Sequence, residues 1–397
     1  MRIELTAWNV GHGEALRIDF ENGLSVVRDF GRHSHAKPTS TSIEVDEVIA
    51  APLVVQGRKT VAVLSHAHDD HFNGFSEMYK RGLRKVFRKC YIPWLDFRTV
   101  RSLGWQVQVL GTYLLAYYGG NSNEGLTTKH WSRAAPLMAA LGRTVRGVAA
   151  GHRFWWPGPR SRVLWPPPPD EEGWRKKHRR SVSRKLRSIR YGLRRSEQGS
   201  VVKAVEESAN AISRALRTYY DPRHPERSFP ESVTFDDIKA IESRLEFVQS
   251  IPIRPTPELD QALSAATTYR RSFVDDHSLV FQIGHRALFL SDLNKGPMDL
   301  MARRYMPRAP RSYGFLKSAH HGTRLGGRPF RRAVRLAGWV LHCCGPADRP
   351  YRAPIGDYKC FAPECIISTD VVHPNENPQN DRIPRLYFGT QQMPFDL

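Results

Sequence analysis

A chain of 397 residues with 40% hydrophobic and 25% charged content is long enough to bury a large core, which excludes a disordered or fibrous protein. Lysine and arginine number 60 against 39 acidic residues; the formal charge of +21 suits an anionic partner and says nothing of chemistry. Five cysteines without a CxxC pair, an N-terminus without an apolar leader, and no apolar run near the ~18 residues that span a bilayer argue against a disulfide scaffold or a membrane protein; a cytoplasmic protein is expected.

Residues 1–31 read as strands, "RIELTAWNV", "LRIDF" and "LSVVRDFG", with a glycine turn at "GHGEA" and a hairpin at Asn22-Gly23. The apolar, β-branched run 61–64 predicts a buried strand. Another strand-and-turn region covers 152–169, where four consecutive prolines forbid helix and mark a boundary. Between positions 175 and 195 stand eleven Lys or Arg residues and no acid. Val202, Val205, Ala209, Ile212 and Leu216, then Ile238, Ile241, Leu245 and Val248, recur at helical steps. Residues 171–270 therefore predict a basic helical insertion between β-rich halves, 1–170 and 271–397. Strand signals return at 278–290 with a central Gly-His turn; 329–337 reads as helix, and "GWVLHCC" and "CIIS" as short strands.

The run "SHAHDDHF" carries the densest chemistry: His66, His68, Asp70 and His71 form HxHxDH at the end of a strand. Imidazoles and carboxylates are good ligands for zinc and similar divalent ions. Four ligands in six positions cannot all address one tetrahedral ion, but they can be divided between two ions a few Å apart. A lone loop histidine is usually bland; four such residues at this spacing are not.

This stretch resembles the HxHxDH signature of the metallo-β-lactamase fold. "NVGHGEALRI" with "VVRDFG" looks like the opening of the branch found in competence DNA-uptake proteins of the ComEC/Rec2 type. "DDHSLVFQIGHRALFLSDL" is similar to that branch's later strand pair, and "LKSAHHGT" resembles its paired-histidine motif. The resemblance implies an α/β fold, a metallo-β-lactamase αββα sandwich, and a hydrolase working with two divalent ions, zinc first and manganese as the alternative. It assigns His66 and His68 to one ion, Asp70, His71 and His321 to the other, and Asp292 to both, with a hydroxide between the ions as nucleophile. Asp70 and His320 become the catalytic candidates, His320 as the group beside the metals that stabilises developing charge or protonates a leaving group. Choosing His321 over His320 as the ligand rests on the resemblance alone.

Complete members of that fold supply one more histidine before the bridging aspartate. His130, His152, His178, His224 and His277 fall in the interval, none in a recognisable motif, so the third ligand of the first ion stays open. Asp29 is expected to orient a ligand histidine or the glycine turn, and His373 to line the cleft.

In the insertion, Arg179, Arg180, Arg184, Lys185 and Arg187 would form a positive helical face opposite Leu186, Ile189 and Leu193. Such a face fits nucleic acid or an acidic protein partner. Trp155, Trp156, Trp165 and Trp174 would either stack bases or pack the insertion onto the core. The leading expectation is a phosphodiesterase, chiefly a nuclease, with a multi-component system such as defence as one setting. The alternatives are a hydrolase of a small ester, lactone or phosphocholine-like molecule, and a degenerate non-catalytic subunit.

Overall fold

The computed structural model describes residues 3–8, 10, 13–32, 59–94, 131–154, 160–168, 171, 274–284, 286–309, 311–343, 358, 360–361, 366–368 and 390–395, with isolated positions between 173 and 257. Among them are two mixed sheets and four α-helices with bounds, besides the helical positions between 173 and 257.

The first sheet contains β1 (Ile3–Trp8), β2 (Gly13–Phe20), β3 (Leu24–Arg32), β4 (Lys59–Val63), β5 (Lys89–Pro93), β6 (Val145–Val148) and, from the other end of the chain, β13 (Thr390–Phe395). Its order is β13-β1-β2-β3-β4-β5-β6. The second sheet contains β7 (Ser161–Trp165), β8 (Val280–Ile283), β9 (Ala287–Phe289), β10 (Arg311–Lys317), β11 (Val334–His342) and β12 (Ile366–Ser368), in the order β12-β11-β10-β9-β8-β7.

The expected hairpin forms. Gly23 at φ 79° makes the turn between β2 and β3, and the Asn22 side chain accepts the Leu24 N–H at 3.2 Å.

Strands of the second sheet are apolar on both faces, as a sheet covered on both sides requires. Val163, Phe281, Phe289, Phe315 and Leu341 point into a core shared with Ile18, Val26, Val61 and Val63 of the first sheet. Their neighbours Leu164, Val280, Leu288, Leu316 and Val340 point the other way. There they meet α3 (Lys295–Arg304) and α4 (Arg328–Ala333) through Met298, Met301 and Phe330. On the far side of the first sheet lie α1 (Asp69–Lys80) and α2 (Trp131–Leu141). The order of layers is helix, sheet, sheet, helix.

The helix expected at 329–337 ends at Ala333, and Val334 already belongs to β11. The β-branched and apolar run from Val334 pairs in parallel with β10, and that ladder overrides the helical reading. Helices α2 and α3 and strands β5, β6 and β13 lie in segments that carried no expectation. In the insertion, every described position from 173 to 257 is helical, and the two apolar helical stripes expected there lie outside the described residues. Among the described residues, no helix is long and apolar enough to cross a membrane.

Candidate metal centre

Strand β4 delivers the HxHxDH run to the end of the first sheet. His66 and His68 follow it on extended backbone, whereas Asp70 and His71 lie in the first turn of α1. Asp69 and Asp70 suit that turn because carboxylates are favoured at a helix N-terminus. Phe72, Phe75, Met78 and Tyr79 repeat at helical spacing and bury the opposite face. Two contacts fix where the helix starts. The Asn73 amide pairs with the backbone of Arg32, accepting its N–H at 2.9 Å and donating to its carbonyl at 2.5 Å. Gly31 lies so close that a Cβ there would strike the Asp69 carbonyl and the Phe72 nitrogen.

The second sheet brings the remaining groups to the same place. Asp292 follows β9, His320 and His321 follow β10, and Asp275 precedes β8. Two buried donor groups result: His66, His68, Asp275 and Asp292, and Asp70, His71, Asp292 and His321; in each, the candidate ligand atoms lie within 4.8 Å of one another. Asp292 is common to both. Its Oδ2 lies 3.5 Å from His66 Nε2 and its Oδ1 3.5 Å from His71 Nε2, while His321 Nε2 is 2.8 Å from Asp70 Oδ2.

Three of the imidazoles are held from behind. His71 Nδ1 is 3.0 Å from Asp29 Oδ2, and Asp29 Oδ1 accepts the Ser65 N–H at 2.6 Å. His321 Nδ1 donates to the Cys343 carbonyl at 2.5 Å, and His66 Nδ1 lies 2.9 Å from Ser65 Oγ and 3.2 Å from Ser291 Oγ. Such contacts fix the ring and leave Nε2 facing the centre. Asp29 thus contacts His71 and the backbone just before His66.

The backbone is strained here. Asp29 at φ 51°, His320 at φ 46° and His321 at φ 55° are three of the four non-glycine residues with positive φ among the described residues.

The donor atoms of both groups are buried together. Asp292 Oδ1 and Oδ2, His71 Nε2, Asp275 Oδ1 and His320 Nδ1 are buried without a hydrogen-bond partner among the described residues. Burial lowers His66 to about 4, and His71 beside it adds to the effect. Burial opposes a charge on His71 too, but Asp292, Asp70 and Asp29 outweigh it and raise that residue to about 10. Against burial, His71 and His321 hold Asp70 well below the usual carboxylate range. Burial raises Asp275 to about 7; Arg324, whose Nη1 donates to its Oδ2 at 2.6 Å, pulls against that, and Asp292 adds to it. A divalent cation satisfies such a set: the converging atoms are imidazole nitrogens and carboxylate oxygens, two of each per group.

A second layer of charge underlies the centre. Glu14, Arg28, Asp29 and Lys317 are all fully buried. Glu14 pairs with Arg28 and receives Lys317 Nζ at 2.8 Å; Arg28 lies 3.6 Å from Asp29.

Other expectations fare unevenly. His152, one of the histidines in the interval left open, lies beside the rings of Tyr91 and Phe154, at 5.9 and 5.8 Å, and joins neither donor group among the described residues. His277 is buried, also outside both groups. His130, His178, His224 and His373 lie outside the described residues, as do Trp155, Trp156, Trp174, Arg179 and Lys185. Trp165 is fully buried, its Nε1 donating to the Asp276 carbonyl at 2.7 Å, and cannot stack a base. Arg180, Arg184 and Arg187 are exposed at helical positions.

Sequence reasoning missed Asp275, Arg324 and the Glu14, Arg28 and Lys317 layer. Asp275 had one signal: it stands just before the strand that leads to Asp292, in the interval searched for a histidine. The chain matches no family model and no curated protein.

Proposed function

We propose that the protein is a metal-dependent hydrolase with a metallo-β-lactamase-like αββα sandwich, and that its substrate is a nucleic-acid phosphodiester. The observation that carries this reading is the position of Asp292, shared by two buried donor groups, with Oδ2 facing His66 and His320 and Oδ1 facing His71. His66, His68 and Asp275 would hold one cation, Asp70, His71 and His321 the other, and Asp292 both. Divalent ions there would polarise a phosphoryl oxygen and acidify water. Two carboxylates per group make the set harder than an all-histidine one, so manganese is as reasonable as zinc.

His320 is the partly exposed member, 24% accessible, with Nδ1 2.9 Å from Asp292 Oδ2. That contact orients the ring and leaves Nε2 as the atom that would give a proton to a leaving oxygen. Asp275 supplies the ligand absent from the histidine pattern, which favours an enzyme over a degenerate subunit. The exposed helical positions Lys177, Arg180, Arg184 and Arg187, spaced by three and four residues, support a polyanionic substrate.

Wild type and the Asp70→Ala, His71→Ala double variant, incubated with single- and double-stranded DNA and RNA in zinc, manganese or magnesium, test the reading. Cleavage by the wild type alone is expected. Cleavage that survives the double substitution refutes the site. Hydrolysis restricted to a chromogenic phosphodiester would move the substrate to a small molecule.

A further inference from the structure

At the edge of the second sheet, Arg153, Arg160, Arg162, Arg286 and Arg311 line one cavity of about 460 Å³. Arg160 precedes β7 and Arg162 lies within it, Arg286 precedes β9, and Arg311 opens β10. Strands β9 and β10 run parallel, and both end at candidate metal ligands, so their starts lie at the opposite edge. From Arg311 to Lys317 the strand covers about 20 Å at roughly 3.3 Å per residue. The cavity is therefore separate from the His/Asp centre and needs none of its residues.

Four of these arginines, Arg153, Arg160, Arg162 and Arg311, carry the argument. The lining contains no acidic residue, and among the described residues no carboxylate pairs with Arg153, Arg160, Arg162 or Arg311. Arg162 Nε is buried with no hydrogen-bond partner, and its Nη2 donates to the Tyr305 carbonyl at 3.3 Å, which aims the group. Burial lowers Arg162, and Arg311 and Arg153 lower it further by repulsion. A chain with +21 net charge has many solvated arginines, but those stand apart in water rather than converging on one cavity.

We propose that this cavity binds an oligophosphate, either the di- or triphosphate group of a nucleotide or the free inorganic ion. Guanidinium forks match phosphate oxygens, two contacts at a time. A single phosphate would occupy a small part of the volume and leave most of the five cations unpaired. The lining offers no aromatic or apolar side chain to hold a base, so recognition falls on the phosphates.

Isothermal titration of the metal-free full chain at about 0.15 M salt tests this. The probes are inorganic triphosphate, ATP, orthophosphate and a single-stranded DNA of about 12 nucleotides. One triphosphate per chain is expected, binding more tightly than orthophosphate. Arg162→Gln and Arg311→Gln should each weaken it about tenfold, with metal stoichiometry unchanged, whereas Arg303→Gln, exposed on α3, should have no effect. Equal affinity for triphosphate and ATP identifies the inorganic group as the ligand; tighter ATP identifies a nucleotide. No saturable binding by the wild type, wild-type affinity in both arginine variants, or stronger binding of the DNA at this cavity would overturn the proposal. Metal content and nuclease assays report on the His/Asp centre separately, so failure here leaves that reading standing.

Discussion

Replacing Asp275 by alanine tests whether the two donor groups are two metal sites. Asp275 belongs to the group with His66, His68 and Asp292 and not to the group with Asp70, His71 and His321. The substitution leaves three donors in the first group and removes the carboxylate that now faces Arg324 at 2.6 Å. Both consequences have the same sign, because a ligand is lost and an arginine cation is left unneutralised beside the site. Loss of a group that merely orients a ligand costs 10–100-fold in metal affinity, so loss of a ligand should cost at least about 100-fold, or about 2.7 kcal/mol.

Metal content measured over chelator-buffered free zinc or manganese should show two ions in the wild type and one in the variant. Asp275→His, which restores a donor of softer character, should recover the second ion with a shift toward zinc. The metal-free melt should change by less than about 1 kcal/mol. Burial and Asp292 raise Asp275 to about 7, so holding its charge at neutral pH opposes folding, and its removal relieves that cost while losing the contact to Arg324. Two equally tight ions in Asp275→Ala, or parallel loss of both, would refute the division into two groups.

Three other outcomes follow from the same geometry. Lys317→Met leaves Glu14 with one fewer cation in a fully buried layer and should destabilise the fold by about 3–5 kcal/mol in a denaturant titration; a loss under about 1 kcal/mol would show that Arg28 alone compensates Glu14. Gly31→Ala sets a Cβ against the backbone of Asp69 and Phe72, so it should lower both the melting temperature and the affinity for the ion beside His71, and an unaffected metal content would contradict the close approach. His342 is buried, and burial, then Lys317, lowers it to about 3. The unfolded chain therefore binds a proton that the folded one does not, and stability present above about 6.5 is lost as pH falls toward about 3. His342→Gln should flatten this acid limb of a plot of stability against pH, and a slope equal to that of the wild type would exclude His342 as a source of it.

Asp292 and His321 entered only through the family resemblance, whereas the local pattern was enough to identify the HxHxDH run, the Asn22-Gly23 hairpin and the strands at 61–64 and 278–290. Each is written in a few adjacent residues, whose spacing sets the turn or the ligand arrangement before any distant contact forms. Tertiary structure alone decided the rest. Asp275, separated from His68 by more than two hundred residues, acquires its role because β8, β9 and β10 begin or end at the edge where β4 delivers the histidines. Glu14, Arg28 and Lys317 look like ordinary strand charges until two sheets close over them, and the five arginines are unremarkable singly until the starts of β7, β9 and β10 bring them around one cavity. Side-chain chemistry is readable in sequence, but which charges share a low-dielectric space depends on which strands become neighbours, and that is fixed by long-range pairing.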